Sequence, residues 1–172
     1  MDNQNIYLRK ITPETESVML DILTSDIIKQ TYMLPDFAWR EDAIPLFQKL
    51  ITLSADPQRY VRGIYLEQSL IGFMNDVEIS NGSIELGYVI HPAFHGKGYM
   101  TRALNLAITE LFSLGYREVI TGAFDENGAS IRVMEKAGMV KLDKIDEIDY
   151  RGKLHKCVYY HKIRSWWNNA EI

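Results

Sequence analysis

The strongest constraint on the fold is a short glycine-containing segment that separates a predicted strand from a predicted helix. The strand is Ser83–Ile90, the segment is His95-Gly96-Lys97-Gly98-Tyr99-Met100-Thr101, and the helix is Tyr99–Leu114. A further strand, Glu118–Phe124, follows that helix. A strand, a helix and a strand in this order predict a crossover connection that leaves the two strands parallel in one sheet.

The same segment has the composition of an anion-binding loop. Gly96 and Gly98 allow backbone amides to face a ligand, because glycine has no Cβ. The first turn of the following helix adds N–H groups without intrahelical partners and the positive end of the helix dipole. Two glycines before a helix are also typical of an ordinary tight turn. The segment therefore predicts either a loop for a phosphate or pyrophosphate, or a turn that only leads into the helix.

The chain before this segment predicts an antiparallel meander. Period-two alternation indicates strands at Tyr60–Glu67 and Leu70–Ile79, joined by a Gln68-Ser69 turn, and Asn81-Gly82 is a hairpin signal that leads into Ser83–Ile90. The meander and the crossover together predict an α/β (α+β) fold. Its sheet is mixed and mostly antiparallel, with helices on both faces.

The other predicted elements lie on both sides of this centre. They are a first strand Ile6–Ile11, one or two helices that begin near Thr12-Pro13-Glu14, a helix Glu41–Ala55, a helix Asn127–Ala137 ended by Gly138, and a hairpin of Val140–Tyr150 with Leu154–Ile163. The sequence contains no internal repeat, low-complexity tract or linker. Residues 1–172 are therefore predicted to form a single domain.

Composition excludes several classes of protein. The net charge of -4 argues against nonspecific nucleic-acid binding, which needs a basic surface. No apolar run approaches the roughly 20 residues that span a bilayer, and Met1–Asn5 lacks the features of a signal peptide. The one cysteine, Cys157, lies in an apolar alternating stretch and is interpreted as a buried structural thiol. A cytoplasmic protein with no nucleic-acid or membrane partner is expected.

A metal centre is not expected either. The four histidines are His91, His95, His155 and His161. None of them lies on a predicted helix, so they do not form the helical pair, four residues apart, that is typical of a metal site.

The element order and five motifs resemble the GNAT superfamily of acetyl-CoA-dependent N-acetyltransferases, most closely the branch of ribosomal-protein N-terminal acetyltransferases. The motifs are an opening strand Ile6–Thr12, a central strand Glu85–Pro92, a pyrophosphate loop Gly96–Thr101, a second cofactor motif of Asn127–Ser130 with Glu135–Met139, and a closing strand Tyr159–Trp166. The chain departs from the family pattern at His95, Met100 and Met134. The third departure matters most, because many members have at that place a tyrosine that protonates the leaving thiolate, which methionine cannot do.

The resemblance implies that acetyl-CoA is the cosubstrate and that no metal takes part. The implied cofactor residues are His95, Gly96, Lys97, Gly98, Tyr99, Met100 and Thr101 around the pyrophosphate, Val89 and Ile90 beside the pantetheine arm through their backbones, and Asn127 as a side-chain partner of that arm. Asn127 has a second interpretation as a helix N-cap, for which asparagine is well suited.

Glu85 is the candidate catalytic base. It shares strand parity with Ser83, Gly87 and Val89, whereas the opposite side of the strand is apolar: Ile84, Leu86, Tyr88 and Ile90. Glu85 is therefore expected to face an acceptor cleft, where desolvation raises the pKa of a carboxyl group. The alternative is a glutamate that only binds the substrate cation or lies on an open sheet face.

Ser130 is the candidate acid, or hydrogen-bond donor, for the leaving thiolate. It lies one turn after Asn127, so both residues can share a helix face. Serine is a weak acid, so a hydrogen bond to sulfur is favoured over full proton transfer. The alternative is an ordinary polar residue at the start of a helix.

The resemblance implies direct attack of an amine on acetyl-CoA in a ternary complex, with a protein N-terminus or a small-molecule amine as acceptor. A monomer or a homodimer is expected. The alternative function is an acyl-CoA-binding sensor or interaction protein with little transferase activity. A dinucleotide enzyme is a third possibility, which the antiparallel meander argues against.

Gln30–Ala55 is expected to form one wall of the acceptor cleft. Its aromatic residues Tyr32, Phe37 and Trp39 are interpreted as buried packing residues rather than substrate contacts.

Overall fold

The computed structural model describes residues 4–165, in which seven strands form one sheet. The strands are β1 (Ile6–Arg9), β2 (Val61–Leu66), β3 (Ser69–Ser80), β4 (Ser83–Ile90), β5 (Glu118–Phe124), β6 (Val140–Tyr150) and β7 (Lys153–Ile163). Their order in the sheet is β1-β2-β3-β4-β5-β7-β6. Trp166, the predicted end of the closing strand, lies outside the described residues, as does Met1-Asp2-Asn3 in the segment considered for a signal peptide.

The described residues also contain four α-helices. These are α1 (Glu16–Leu23), α2 (Ile44–Ala55), α3 (Tyr99–Ser113) and α4 (Gly128–Lys136). Strand β4 pairs in parallel with β5, whereas β1 with β2, β2 with β3, β5 with β7, and β6 with β7 are antiparallel pairs. The predicted crossover and the mixed, mostly antiparallel sheet are therefore confirmed.

Element boundaries differ from the predictions where local backbone chemistry decides them. Helix α2 begins at Ile44 rather than Glu41, because residues Arg40–Ala43 form a 3₁₀ turn before Pro45 in the first helical turn. The turn between β2 and β3 lies one residue earlier than predicted, with Glu67 at a φ of 54°. The hairpin turn between β3 and β4 is confirmed, since Asn81 and Gly82 have φ values of 51° and 81°, as a type I′ turn requires.

The described residues divide into two compact units. The first comprises residues 4–75 and 88–103, and the second comprises residues 76–87 and 104–165. The chain passes between the units within β3, β4 and α3. The prediction of a single domain over residues 1–172 stays a prediction.

The first unit has its own hydrophobic core. Buried side chains of α1, α2 and the first strands meet there: Ile11, Met19, Leu20, Ile22, Leu23, Ile28, Leu34, Ala43, Phe47, Leu50, Val61, Tyr65, Leu70, Phe73 and Val89. Ser54 is a buried polar residue within this unit. Its hydroxyl accepts a hydrogen bond from the Ile11 N–H at 2.9 Å and donates one to the Val61 carbonyl at 3.0 Å. These two bonds satisfy backbone groups that would be costly to bury without partners.

In the second unit, strand β5 separates a buried sheet face from a more open one. Val119, Thr121 and Ala123 are buried, whereas Glu118, Ile120 and Gly122 alternate with them and are only partly buried. Thr121 donates a hydrogen bond from Oγ1 to the sulfur of Met134 on α4 at 3.0 Å. Helix α4 therefore packs on the buried face of β5, and the other face of β5 is more accessible.

Candidate active site

The glycine-containing loop of the first unit is open on the side where a side chain would stand. Gly96 and Gly98 have φ values of 72° and 77°, which favour glycine. Apart from the glycine and its two chain neighbours, no atom of the described residues lies within 4 Å of a Cβ built at either position. The first helical hydrogen bond at this end of α3 runs from the Arg102 N–H to the Gly98 carbonyl at 3.2 Å. The amides before Arg102 therefore lack helical partners, and the loop has room for a ligand beside them.

The loop and the first turn of α3 are fixed by contacts within the first unit. The His95 ring contacts the Ile90 carbonyl through Nε2 at 2.8 Å. The Tyr99 hydroxyl donates to Gln4 Oε1 at 3.0 Å, and Arg102 Nη2 donates to the Gln4 carbonyl at 2.7 Å. Tyr99 is buried and hydrogen-bonded, so its side chain has a packing role.

The position of the Met100 side chain explains why a large residue is compatible with this loop. Its side chain is buried, with 7% of its surface exposed. A ligand at this turn would therefore meet the Met100 backbone and not its side chain. The departure from the family pattern at Met100 leaves the amide surface intact.

The carboxyl end of β4 corrects the predicted side-chain alternation. Leu86 and Val89 are both buried, although they are three residues apart, and Tyr88 and Ile90 are only partly buried. Val89 belongs to the core of the first unit. Gly72 on β3 approaches so closely that a Cβ there would collide with the Val89 carbonyl oxygen. The regular alternation of β4 therefore ends after Leu86, because Val89 packs into a different core.

Glu85 lies in the part of β4 where the side chains still alternate regularly, on the open sheet face of the second unit. It is partly buried, and this burial raises its pKa above the ordinary glutamate value. The positive charge of Lys144 opposes the rise in pKa, whereas the negative charges of Glu78 and Asp146 add to it. A carboxyl group with a raised pKa is a better proton acceptor at neutral pH than an ordinary glutamate.

Strand register places further polar side chains on the same face. Glu85 is the partner of Ile120 on β5, and Ile120 is the partner of His161 on β7. Two residues further along β5, Gly122 is the partner of Tyr159. Paired residues point to one side of a sheet, so Glu85, His161 and Tyr159 share a face.

Tyr159 is part of a group that the sequence did not reveal. Its hydroxyl donates to Asp146 Oδ2 at 2.9 Å, and its ring centroid lies 4.1 Å from Lys144 Nζ. Lys144 Nζ is also 3.4 Å from Asp146 Oδ2. Burial is the largest cause that raises the pKa of Tyr159, and hydrogen bonding that involves Cys157 and Asp146 raises it further. The phenol of Tyr159 therefore stays protonated. Strand alternation could have indicated the face of Tyr159, but not these partners.

A second polar group joins three strands of this unit. His161 Nδ1 lies 2.6 Å from Glu118 Oε1, and the Ser83 hydroxyl donates to Glu118 Oε2 at 2.6 Å. Burial alone would raise the pKa of Glu118, but the hydrogen bonds with Ser83 and His161 outweigh it and hold the pKa below its ordinary value. Glu118 is therefore an ionised anchor and a poor proton acceptor.

The start of α4 shows how the second motif is built. The Asn127 side-chain oxygen accepts a hydrogen bond from the Ser130 backbone N–H at 3.2 Å, so Asn127 is the N-cap of α4. This bond uses the oxygen of Asn127 and leaves its amide nitrogen for another partner. Met134 is fully buried, with 0% of its surface exposed. It is a core residue of the second unit, which agrees with its having no acid function.

The structure places the predicted site residues as follows. Val89, Ile90 and the loop from His95 to Thr101 belong to the first unit, whereas Glu85, Asn127 and Ser130 belong to the second. Within the first unit, the loop is tied to Ile90 by His95. In the second unit, Asn127 and Ser130 are joined by the cap of α4.

The aromatic residues before α2 do not all follow the prediction of buried packing. Tyr32 packs edge-on to Phe73 with ring centroids 6.0 Å apart, and Phe37 packs against the first core. Trp39 is 73% exposed, so the prediction for it is wrong. Its backbone N–H donates to Asp42 Oδ2 at 3.0 Å and its carbonyl accepts from the Asp42 N–H at 3.0 Å. The 3₁₀ turn uses the Trp39 backbone and leaves the indole outside.

Cys157 is a buried free thiol, as predicted, and burial raises its pKa. A raised pKa disfavours the thiolate form that a nucleophile needs.

Within residues 4–165, no group of three or more histidine, cysteine or carboxylate residues is arranged to hold a metal ion. Among the same residues, no helix has the length and apolar character to cross a lipid bilayer.

Comparison with known proteins adds an independent line of evidence. The family model described as an acetyltransferase (GNAT) domain matches residues 5–140. The putative ribosomal N-acetyltransferase YdaF of Bacillus subtilis is 30% identical over 98% of this chain and 97% of its own length. The probable N-acetyltransferase YjcK of the same organism is 27% identical over 82% of this chain and 83% of its own length.

Solved structures share the fold at lower sequence identity. The spermidine N-acetyltransferase from Vibrio cholerae, solved with CoA and spermine, superposes with a TM-score of 0.79. The match covers 95% of this chain and 98% of that chain at 19% identity. At this identity the likeness shows the fold.

Proposed function

Because this chain belongs to the acetyltransferase (GNAT) family and is an acetyl-CoA-dependent acyltransferase, we propose that it acetylates a primary amine by direct attack within a ternary complex. The observation that carries the proposal is Glu85, a partly buried carboxylate with a raised pKa on the open face of the second unit. A thioester is already activated, so positioning and removal of one proton can supply much of the rate.

Glu85 is proposed as the general base. An amine attacks only as the free base, so its ammonium form must first lose a proton. Glu85 accepts that proton directly or through one water molecule, and the amine nitrogen then forms a bond to the carbonyl carbon as the carbon–sulfur bond breaks. The nitrogen loses its second proton as the amide forms, and water carries this proton to the departing thiolate. The raised pKa of Glu85 supports this role, because an effective base has a pKa close to the working pH.

The cofactor is proposed to bind through backbone groups. The loop from His95 to Thr101 is open beside Gly96 and Gly98 and leads into the N-terminus of α3, as an anion site requires. Its contacts with the pyrophosphate would come from the amides of Gly96, Lys97, Gly98, Tyr99, Met100 and Thr101. Val89 and Ile90 would contribute their backbones to the pantetheine arm, and the Asn127 amide would donate to the same arm.

Ser130 is proposed to hydrogen-bond the departing thiolate. Two observations support it over other hydroxyl groups. Its backbone N–H is held by the Asn127 cap, which fixes the residue in the first turn of α4. The Tyr159 hydroxyl is a poorer candidate, because it donates its proton to Asp146.

The acceptor is proposed to be a protein N-terminus or a small-molecule amine. The names of similar proteins support both choices, since one relative is a putative ribosomal N-acetyltransferase and one structural neighbour is a spermidine N-acetyltransferase. Both kinds of acceptor occur in the cytoplasm, which is the proposed location. A monomer or a homodimer would suffice.

Release of free thiol from acetyl-CoA tests the proposal. The purified protein is mixed with acetyl-CoA and, in turn, with ribosomal-protein N-terminal peptides, polyamines and aminoglycosides. We expect amine-dependent thiol release that Glu85→Gln abolishes. The second candidate function is an acyl-CoA-binding sensor, which the buried Met134 in place of a tyrosine favours. Tight acetyl-CoA binding with no thiol release for any amine would support it.

A further inference from the structure

Lys144 is held by a group of side chains that is suited to an alkylammonium ion. Its Nζ lies 4.1 Å from the centroid of the Tyr159 ring and 3.4 Å from Asp146 Oδ2. Asp146 Oδ2 also accepts the hydrogen bond of the Tyr159 hydroxyl at 2.9 Å. An aromatic face beside a carboxylate attracts ammonium groups through both the ring quadrupole and the opposite charge.

This group lies on the face that carries Glu85. A Cβ at Gly122 would stand 2.8 Å and 3.0 Å from two carbons of the Tyr159 ring, so the ring lies across β5 where a side chain is missing. Glu85 on β4 is the register partner of Ile120, which lies two residues before Gly122 on β5. The Lys144 charge lowers the pKa of Glu85, and the Glu85 charge raises the pKa of Tyr159, so the three groups are within electrostatic range of one another.

Lys144 itself is not strongly held. Its side chain is 51% exposed and that of Asp146 is 46% exposed, and ion pairs between such partly exposed groups are weak. The pairing of β6 with β7 shifts register between Lys141 and Ile145, so Lys144 lies in an irregular part of the strand. A second cation can therefore replace its ammonium group at small cost.

We propose that Tyr159 and Asp146 form the subsite that binds the ammonium group of the acceptor, and that Lys144 occupies this subsite until the acceptor displaces it. The proposal rests on the proposed function for the nature of the acceptor as an amine. It makes Lys144 an internal competitor of the acceptor. Tyr159 and Asp146 become positioning residues that hold the amine beside Glu85.

The KM for the acceptor should change in opposite directions when Lys144 is substituted and when Tyr159 or Asp146 is substituted. With saturating acetyl-CoA, at a pH well above the acidic limb of the rate, Lys144→Met should lower the KM of the best acceptor about two- to fivefold, the range of a partly exposed ion pair. Tyr159→Leu and Asp146→Asn should each raise it by at least as much and leave the affinity for acetyl-CoA unchanged. Lys141→Met removes an exposed lysine of the same strand and should change nothing. A higher KM in Lys144→Met, or an equal decrease in Lys141→Met, would overturn the proposal.

A second measurement needs no transferase activity. Reductive ¹³C-dimethylation keeps the charge of each lysine and gives it a methyl signal, and the Lys144 signal is the one missing from Lys144→Met. The Tyr159 ring current should shift this signal upfield, and ethylammonium chloride should move it toward the position of exposed lysines more than sodium chloride at equal ionic strength. A signal already at the exposed position, or equal effects of the two salts, would refute the subsite. If the signal responds but no amine is acetylated, the proposed function fails and the subsite stands.

Discussion

The side-chain oxygen of Asn127 accepts a hydrogen bond from the Ser130 backbone N–H at 3.2 Å, so the two polar residues of the second motif are joined as a helix cap. The cap uses the Asn127 oxygen and the Ser130 main chain. The Asn127 amide nitrogen and the Ser130 hydroxyl take no part in this bond. Stability and function can therefore be separated at both positions by substitution.

Asn127→Ala and Asn127→Ser distinguish the two roles of Asn127. Serine is also a good N-cap, so Asn127→Ser should keep the thermal stability, whereas Asn127→Ala should lose about 1 kcal/mol. Both variants lack the amide and should bind coenzyme A more weakly in calorimetry. If Asn127→Ser binds coenzyme A like the wild type, Asn127 is a cap and no more.

Ser130→Ala should lower the rate of acetyl transfer and leave the fold intact, because the cap bond comes from its backbone. A hydrogen bond made only to the departing thiolate is worth roughly 1–3 kcal/mol, or about 5- to 150-fold in kcat. Affinity for coenzyme A, measured by calorimetry, should change less than kcat. Ser130→Thr, which keeps a hydroxyl, is the matched control. Weaker coenzyme A binding with an unchanged kcat would remove Ser130 from the chemistry.

Gly98→Val should abolish coenzyme A binding. Gly98 has a φ of 77°, which a β-branched residue adopts only with strain, and a side chain there would fill the space beside the loop amides. Gly152→Val is a matched control, because Gly152 has a φ of 72° and equally open surroundings among the described residues, but lies in the turn between β6 and β7. Both variants should lose similar stability, and only Gly98→Val should lose binding. Normal calorimetric affinity in folded Gly98→Val would place the pyrophosphate elsewhere.

Glu85 should set the acidic limb of the pH–rate profile. Its pKa is raised, so activity should be present above this pKa and lost as the pH falls through it, at a higher pH than an ordinary glutamate would give. Lys144 lowers the pKa of Glu85, whereas Glu78 and Asp146 raise it. Lys144→Met should therefore move the limb to higher pH and Asp146→Asn to lower pH, as kcat/KM profiles would show.

Glu85→Gln should lose about 10²–10⁴-fold in rate and flatten this limb. Its stability should not fall at neutral pH, because a raised folded-state pKa means that the fold holds ionised Glu85 less well than the unfolded chain does. A decrease of less than tenfold with the limb retained would show that another group accepts the proton.

The sequence was most informative where local chemistry decides the structure. The Asn81-Gly82 turn and the parallel pairing of β4 with β5 follow from turn residues and chain order alone. Local patterns could not predict the exposure of Trp39, which depends on a 3₁₀ turn that uses only its backbone. They also missed the burial of Val89, because that side chain packs into the core of residues distant in sequence.

The candidate site was predictable only in part for the same reason. Glu85 was identified from strand parity, and its face agrees with the register of β4 and β5. The Tyr159, Asp146 and Lys144 group depends on the register of three strands, a register shift in β6 and the missing side chain at Gly122. No motif in the sequence specifies that combination.

The most direct test of the central claim is to follow the acetyl group itself. Acetyl-CoA labelled in the acetyl carbonyl is mixed with the protein and a reactive amine, and the reaction is quenched at times shorter than one turnover. Direct attack predicts that the label passes from coenzyme A to the amine nitrogen without protein-bound thioester, and that coenzyme A leaves no faster than the amide forms. Transient label on Cys157, or a burst of coenzyme A release before amide appears, would contradict direct attack.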